Sequence, residues 1–449
     1  MGDEIGDNLD ANRLAPYSRG PQGRSGGVNR TEGGRVNDES TTGSLDRRKF
    51  LKGAGAAGVA LATMPLAKGA WAGIAKKPTM KPLRIGNLLT LSGPNAAPSI
   101  DVRRGFVSYV YSHDHRIGGR KIQFFDADDT NSPPVAIQQL TKLVQEDQVD
   151  FVEGIFFSSV LLGVLSTINQ LQVPTVVANA AANTVSRDQV SPYIYRTSYS
   201  NYQLGIPLGK WATTTFGTQG VVAAIAANYA AGQESSAAIK QAYEDAGGKL
   251  LGTILTPFPT TPDYQPYFQQ AADLGAKAVW CFTAGGGEAI KFVNTWRQFG
   301  FDKKFQIFGS NNMTDPQSVL DAEGDNALGI RTTANWAPTL KNKENVLFLK
   351  QYATLGLGVP SAFAELGYIA AQFLDLAVRK VGGDTSNKAK TLAAMGSVGT
   401  WQSPGGRLTM DPKTHNVIEP VYLRTVVKTA QGYTQPLIST LGIYKEPGA

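Results

Sequence analysis

The stretch DFVEGIFFSSVLLGVLSTINQLQVPTVVANA, Asp150–Ala180, decides the fold. Asp150 to Ile155 is a short apolar run of strand length. Residues 158–170 place apolar side chains at helical spacing, and Pro174 to Ala178 is a second short apolar run. A strand, a helix and a strand in this order read as a crossover between parallel strands, because antiparallel neighbours need only a tight turn. Continuous apolar strands, without in-out alternation, belong to sheets covered on both faces.

The alternation continues in both directions. Upstream, Leu83 to Thr90 and Lys121 to Phe125 read as strands, with helical spacing over 101–112 and Val135 to Gln145. Around Tyr193-Ile194-Tyr195-Arg196-Thr197 the pattern restarts. Val221 to Ala226, Leu250 to Thr256, Ala278 to Phe282 and Phe305 to Phe308 are expected strands. Gly232 to Ala246, 265–274 and 288–299 are expected helices, the first stopped by Gly247-Gly248. Two βαβ arrays in series predict an α/β protein with parallel sheets under helices. The remaining portion has helical spacing in Asn345 to Leu355 and Ala362 to Val381. Strand-like runs follow at Gly405 to Asp411 and Val417 to Val427. It is too small for a third array and is expected to complete the first two. A chain of 449 residues, 42% hydrophobic, is long enough for two cores.

Composition excludes several classes. The net charge of +7 is spread along the chain with no basic cluster interleaved with aromatics, so no nucleic-acid partner is expected. Cys281 is the single cysteine, inside the apolar run Ala278-Val279-Trp280-Cys281-Phe282, and reads as a core residue. The three histidines, His113, His115 and His415, stand in polar surroundings and make no thiol partner or metal set. No metal and no cofactor is therefore expected.

Residues 1–44 are rich in Gly, Asn, Asp, Arg and Ser with little apolar periodicity, and read as disordered. Asp46-Arg47-Arg48-Lys49-Phe50-Leu51-Lys52 follows, then a moderately apolar stretch from Gly53 to Leu66, then Ala70-Trp71-Ala72. Basic residues, a short apolar segment and a small-residue cleavage site at Ala70 and Ala72 are the parts of an export signal, in order. The run Arg47, Arg48, Phe50, Leu51 resembles a twin-arginine leader, with Asp46 where Ser or Thr is usual. The resemblance implies the twin-arginine machinery as a partner and passage in the folded state. Residues 1–72 are thus read as a disordered region and a cleaved signal, and the mature chain as periplasmic. Gly53 to Gly58 matches GxGxxG by letter. It follows the charged export motif instead of a strand, so it is no dinucleotide site.

Ligands of open α/β sheets bind beyond the carboxyl ends of the strands. The turns there include Thr90-Leu91-Ser92-Gly93-Pro94, Phe156-Phe157-Ser158-Ser159 and Asn179-Ala180-Ala181-Ala182-Asn183. Others are Asn228-Tyr229-Ala230, Thr283-Ala284-Gly285-Gly286-Gly287 and Gly309-Ser310-Asn311-Asn312. Ser158 and Ser159 open a helix, whose free N–H groups suit an anion, though Ser also simply caps helices. The candidate ligand residues are Ser92, Ser158, Ser159, Asn179, Ala181, Tyr229, Thr283 and Asn311. These turns contain no paired carboxylates and no Ser/His/Asp set, which argues against catalysis.

Several of these segments resemble the leucine/isoleucine/valine-binding family of ABC-transporter receptors. They are Leu89-Thr90-Leu91-Ser92-Gly93-Pro94, Ile117-Gly118-Gly119-Arg120-Lys121-Ile122 with Asp126, and Tyr195-Arg196-Thr197. Asn228-Tyr229-Ala230-Ala231-Gly232-Gln233 and Arg297-Gln298-Phe299-Gly300-Phe301 add to them, and the likeness runs over nearly all of 81–445. It implies a type I periplasmic-binding fold: two doubly wound lobes joined by three crossovers, expected near Thr197, Thr333 and Asp411. The first lobe would be 81–197 plus 334–411, and the second 198–333 plus 412–449. The implied function is an exported solute receptor that serves a membrane permease. A sensor for a membrane receptor, or an exported enzyme, remains the alternative. In that family a Ser after the third strand, here Ser158, holds the carboxylate of an amino-acid ligand. The family's Thr in the next strand-end loop falls on Ala181 or Ala182, and its acid for the ligand ammonium falls on Asn311. Its aromatic in the opening loop falls near Pro98, and its Tyr in the Gly-rich turn near Gly285. Glu288, Asp315 or Glu365 could replace the missing acid; otherwise a small carboxylate, an aromatic acid or an amide fits better than an α-amino acid.

Overall fold

The structure is a computed structural model and describes residues 80–448. Arg47, Arg48, Phe50, Leu51, Ala70 and Ala72, and with them the whole export segment, lie outside the described residues.

The first array runs β1 (Leu83–Leu89), α1 (Ala96–Ser112), β2 (Arg116–Ile117), β3 (Arg120–Asp128), α2 (Pro133–Gln145), β4 (Phe151–Gly154), α3 (Ser158–Leu171), β5 (Thr175–Val177) and β6 (Ile194–Arg196). These strands form one sheet in the order β2-β3-β1-β4-β5-β6. All neighbours are parallel except the β2–β3 hairpin. The βαβ unit expected from 150–178 is β4-α3-β5, with Val152 opposite Thr175. Helix α2 starts at Pro133, where a missing N–H costs nothing and the fixed φ already suits a helix.

The second array runs α4 (Asn201–Phe216), β7 (Val222–Ala227), α5 (Ala230–Asp245), β8 (Thr253–Thr256), α6 (Gln265–Asp273), β9 (Ala278–Phe282), α7 (Gly287–Gln298), β10 (Gln306–Ser310), α8 (Gln317–Glu323) and β11 (Arg331–Ala334). Helix α4 opens on a complete capping box. Ser200 accepts from the N–H of Gln203, and the Gln203 side chain accepts from the N–H of Ser200. Three helices, α9 (Lys343–Thr354), α10 (Ala362–Lys380) and α11 (Lys388–Gly396), return to the first array. The strands β12 (Thr400–Ser403), β13 (Gly406–Met410), β14 (Val417–Thr425), β15 (Val427–Thr429), β16 (Gly432–Thr434) and β17 (Leu437–Tyr444) finish the chain. The second sheet has the order β12-β13-β14-β11-β10-β9-β7-β8, with β17 on β14.

One contact completes the first array, and a second feature joins the two arrays. Helices α1 and α10 touch backbone to backbone: a Cβ on Gly105 would sit 1.7 Å from the Ala364 carbonyl oxygen, and one on Gly367 1.9 Å from that of Val102. Only glycine permits this approach. The last strand group belongs to both sheets. Asn416, just ahead of β14, bridges Arg196 of β6, and further on Tyr422 to Thr425 pair with β11. Arg196 is fully buried at that junction. It donates to Asn416 Oδ1, to the Ala182 carbonyl at 2.6 Å and to Ser186 Oγ at 2.8 Å, so the loop after β5 is anchored to the junction.

The chain thus has a six-stranded, almost wholly parallel sheet and a nine-stranded mixed sheet, linked by the Arg196–Asn416 bridge. The helices α4, α8 and α11 and the strands β2, β11, β12, β15, β16 and β17 are additions to what the residue pattern predicted.

Candidate ligand-binding site

The site forms where the strand ends of the two sheets face each other. On the first sheet, β4 ends at Gly154, with φ +110°, and Ile155 follows at φ +53°. This left-handed step turns the chain so that Phe157, in extended conformation, caps α3 and Ser158 is its first residue. Ile155 is held by N–H donation to the Leu88 carbonyl at 2.7 Å and accepts from Ala180 N–H at 3.0 Å. After β5, Asn179 Nδ2 donates to the Phe156 carbonyl at 2.8 Å, locking the two strand-end loops side by side.

On the second sheet, β7 delivers Tyr229, β9 delivers Phe282 and β10 delivers Asn312. The two sides touch. Gly287 N–H donates to the Pro94 carbonyl at 2.9 Å, Asn95 Nδ2 to the Pro259 carbonyl at 3.2 Å, and Asn183 N–H to Glu234 at 2.8 Å. Between them lies a small cavity of about 20 Å³ whose walls include Phe156, Ser158, Asn179, Tyr199, Tyr229, Phe282 and Asn312.

Of the residues expected from sequence, Ser158, Asn179, Ala181 and Tyr229 line this cavity. Ser159, Thr283 and Asn311 stand one step behind it. Thr283 Oγ1 donates to the Asn312 carbonyl at 3.2 Å, bracing the loop that carries Asn312. Asn311 is fully buried, and its Oδ1 lies 3.3 Å from the Tyr199 hydroxyl. The wall position belongs to Asn312, its neighbour. Ser92 is exposed and does not line the cavity. Residue reasoning missed Tyr199 and Phe156. Tyr199 had a readable signal, because it follows the Arg196-Thr197 junction and precedes the Ser200/Gln203 cap that starts α4.

The chemistry of the walls is one-sided. Among the described residues, no charged side chain lines the cavity. The three acids that stood as substitutes are engaged elsewhere. Glu288 accepts from Thr261 N–H, Tyr264 and Lys291, each at 2.8 Å. Asp315 pairs with Arg424 at 2.8 Å, and Glu365 accepts from Asn335 Nδ2 at 2.6 Å and Gly405 N–H at 3.0 Å. The polar groups of the lining residues are neutral: the Ser158 and tyrosine hydroxyls and the Asn179 and Asn312 amides, with the first turn of α3, whose N–H groups have no helical partner, starting at Ser158. Burial pushes the Tyr229 phenol well above its ordinary value, so it stays a donor. Burial raises the Tyr199 phenol likewise, and its one proton is shared between the Asn179 and Asn311 side-chain oxygens. Aromatic rings make the rest of the wall. Tyr229 packs on Phe282 with centroids 6.2 Å apart, and Phe156 on Phe363 at 5.3 Å.

A buried polar-and-aromatic cavity between two α/β sheets linked at the Arg196–Asn416 bridge defines a two-lobed solute receptor of the type I periplasmic-binding class. The chain belongs to the periplasmic binding protein family, which it matches over residues 82–431. It is 28% identical over 371 residues to the Leu/Ile/Val-binding protein homolog 6 of Brucella melitensis, covering 82% of this chain and 93% of that one. A solved solute-binding protein of an ABC transporter from R. palustris, in complex with benzoate, is 29% identical with a TM-score of 0.74, covering 81% and 97% of the two chains. A second from R. palustris, in complex with 4-hydroxybenzoate, is 25% identical with a TM-score of 0.76, covering 82% and 99%. Among the described residues no helix is long and apolar enough to cross a membrane.

Proposed function

We propose that this chain is the exported solute-binding component of an ABC-type importer and that its solute is a small aromatic carboxylate. The observation that carries the reading is the uncharged cavity, with aromatic walls and Ser158 at the first turn of α3. A carboxylate there meets a hydroxyl, free N–H groups and the positive end of the helix. A ring meets Phe156, Tyr199, Tyr229 and Phe282. An α-amino acid would bury an ammonium with no carboxylate beside it, which costs several kcal/mol. The benzoate and hydroxybenzoate complexes of the R. palustris relatives support the same choice.

The rest of the reading follows from that role. The lobes are 81–197 plus 334–411 and 198–333 plus 412–449, with Ser158, Asn179 and Ala181 on one and Tyr229 and Asn312 on the other. Thr283 and Asn311 brace the strand-end loops around them, and Ser92 and Ser159 stand beside the site as candidate contacts. A twin-arginine leader at Arg47 and Arg48, cleaved after Ala72, delivers the mature protein to the periplasm, where it serves a membrane permease. Calorimetry of the mature protein with benzoate, 4-hydroxybenzoate, leucine and valine tests the solute. The acids are expected to bind and the amino acids not. Ser158→Ala is expected to weaken the acids by about 1.5–3 kcal/mol, the range for a hydrogen bond to a charged group. Tight leucine binding, with no response to the acids, would overturn the reading.

A further inference from the structure

A second pocket lies at the other end of the strands that build the cleft. In β10, Ser310 leads to the cleft residue Asn312, while Gln306 to Phe308 face away from it at the start of the strand. Arg331 opens the parallel neighbour β11 and pairs in register with Phe308. Around this end is a half-open pocket of about 200 Å³.

Its walls are aromatic. Trp211 and Phe216 come from α4 and pack edge-on at 5.5 Å. Both contact Phe308, at 5.3 and 5.4 Å. Trp296 of α7 forms the opposite side. Trp211 and Phe216 are only partly buried, so their ring surface faces the pocket and solvent.

Two guanidinium groups reach the pocket, and they differ. Arg297 is fully used: it donates to the Asn326 and Leu328 carbonyls at 3.0 and 2.9 Å and pairs with Asp302 at 3.0 Å. Arg331 has no hydrogen bond and no ion pair among the described residues. Its one contact of this kind is the Trp211 ring, with the guanidinium carbon 5.9 Å from the centroid. Arg297 and Asp302 cancel, so the charge left in the pocket is that of Arg331. An uncommitted planar fork of donors, steered by an indole face beside open aromatic surface, matches one ligand chemistry: a flat ring carrying a carboxylate.

We propose that this pocket is a second binding site, for a one- or two-ring aromatic carboxylate, with Arg331 taking the carboxylate and Trp211 and Phe216 taking the ring. The site is independent of the solute assigned to the cleft. It shares β10 with the cleft but no lining residue.

The test uses 1-naphthoate as probe, with neutral 1-naphthalenemethanol as control, on the mature protein. Tryptophan fluorescence is followed for wild type, Arg331→Gln, Trp211→Phe and the cleft variant Tyr229→Phe. Naphthoate is expected to give a saturable change that Trp211→Phe abolishes and Tyr229→Phe leaves alone. Arg331→Gln is expected to weaken naphthoate by about tenfold or more, in line with loss of a charge-assisted pair, and the alcohol to bind no better than naphthoate does to that variant. Unchanged melting curves for Arg331→Gln, whose side chain makes no hydrogen bond among the described residues, show that the loss is local. Naphthoate affinity equal in wild type and Arg331→Gln, equal affinity for acid and alcohol, a signal lost only in Tyr229→Phe, or no saturable change would each overturn the proposal.

Discussion

The ring of Tyr229 lies face to face on that of Phe258, centroids 4.0 Å apart and planes 14° from parallel. Phe258 in turn packs edge-on against Phe157, the residue ahead of Ser158, at 6.0 Å. The stack fixes where the Tyr229 hydroxyl stands, and no protein group accepts or donates to it among the described residues. Tyr229→Phe keeps the stack and removes only the hydroxyl. Folding stability is expected to stay within about 0.5 kcal/mol of wild type, since no protein hydrogen bond is lost. Solute affinity is expected to fall by about 0.5–1.5 kcal/mol, the net worth of one hydrogen bond. Chemical unfolding and calorimetry on the same preparation separate the two. Loss of stability without loss of affinity would place the hydroxyl in the fold and not in the site.

Asn312, and not Asn311, is the amide on the cavity wall. Asn312→Asp puts a carboxylate where no lining side chain can balance it. Binding of benzoate is expected to weaken by tenfold or more, since like charges close together in a buried site cost at least about 1.4 kcal/mol. Affinity for an α-amino acid is expected to rise. Parallel titrations of Asn311→Asp should show the smaller effect on benzoate; the reverse order would assign the wall to Asn311.

Two buried carboxyls make stability depend on pH. Both oxygens of Glu153, in β4, are buried without a partner. Burial pushes its carboxyl up to about 8, with Arg103 pulling down and Asp126 pushing up. Burial likewise holds Glu365 at about 8, against hydrogen bonds from Gly405, Asn335 and Ser403. In the unfolded chain both return to the ordinary 4.5. Between these values the folded state holds protons that the unfolded state has released. The contribution is therefore complete below about pH 4.5, declines as pH rises and is gone above about pH 8. The melting temperature is expected to fall from pH 5 to pH 8. Glu153→Gln, neutral at every pH, is expected to flatten that slope. It should stabilise the protein at pH 8 by a few kcal/mol at most, given about 1.4 kcal/mol for each tenfold change in proton affinity. A melting profile unaltered by Glu153→Gln would show the carboxyl to be ionised in the fold.

Export through the twin-arginine route makes a further demand. With Arg47 and Arg48 both changed to Lys, uncleaved precursor is expected to accumulate inside the cell. Fractionation and immunoblotting follow it. Normal periplasmic levels of the double variant would exclude the route, and a mature N-terminus far from Gly73 would exclude cleavage after Ala72.

The alternation of short apolar runs and helical spacing was readable because a covered parallel strand such as Val222–Ala227 is apolar on both faces. Helix α4 escaped because Pro207 and two glycines interrupt its spacing. The structure uses those glycines, Gly205 and Gly209, to bring α4 close to α5. Ser158 and Asn179 were legible as strand-end residues. Tyr199 was not legible by that rule, since it reaches the cavity from a crossover and not from a strand end. The shift from Asn311 to Asn312 is a matter of one residue, decided by how the short turn after β10 points its side chains, which spacing alone does not specify.

The glycine contact between α1 and α10 sets the order in which the protein can be built. The first sheet is complete in sequence by Arg196, yet one face of its helix α1 is covered by Ala362–Lys380. During synthesis the first array leaves the ribosome well before its cover exists, with apolar surface unsatisfied until most of the chain has been made. Contacts so distant in sequence form slowly, and such half-covered arrays are prone to aggregate. Completion of the first array therefore waits on the last quarter of the polypeptide, and truncation ahead of α10 removes the packing of residues such as Tyr109, 266 positions ahead of its partner Asp375.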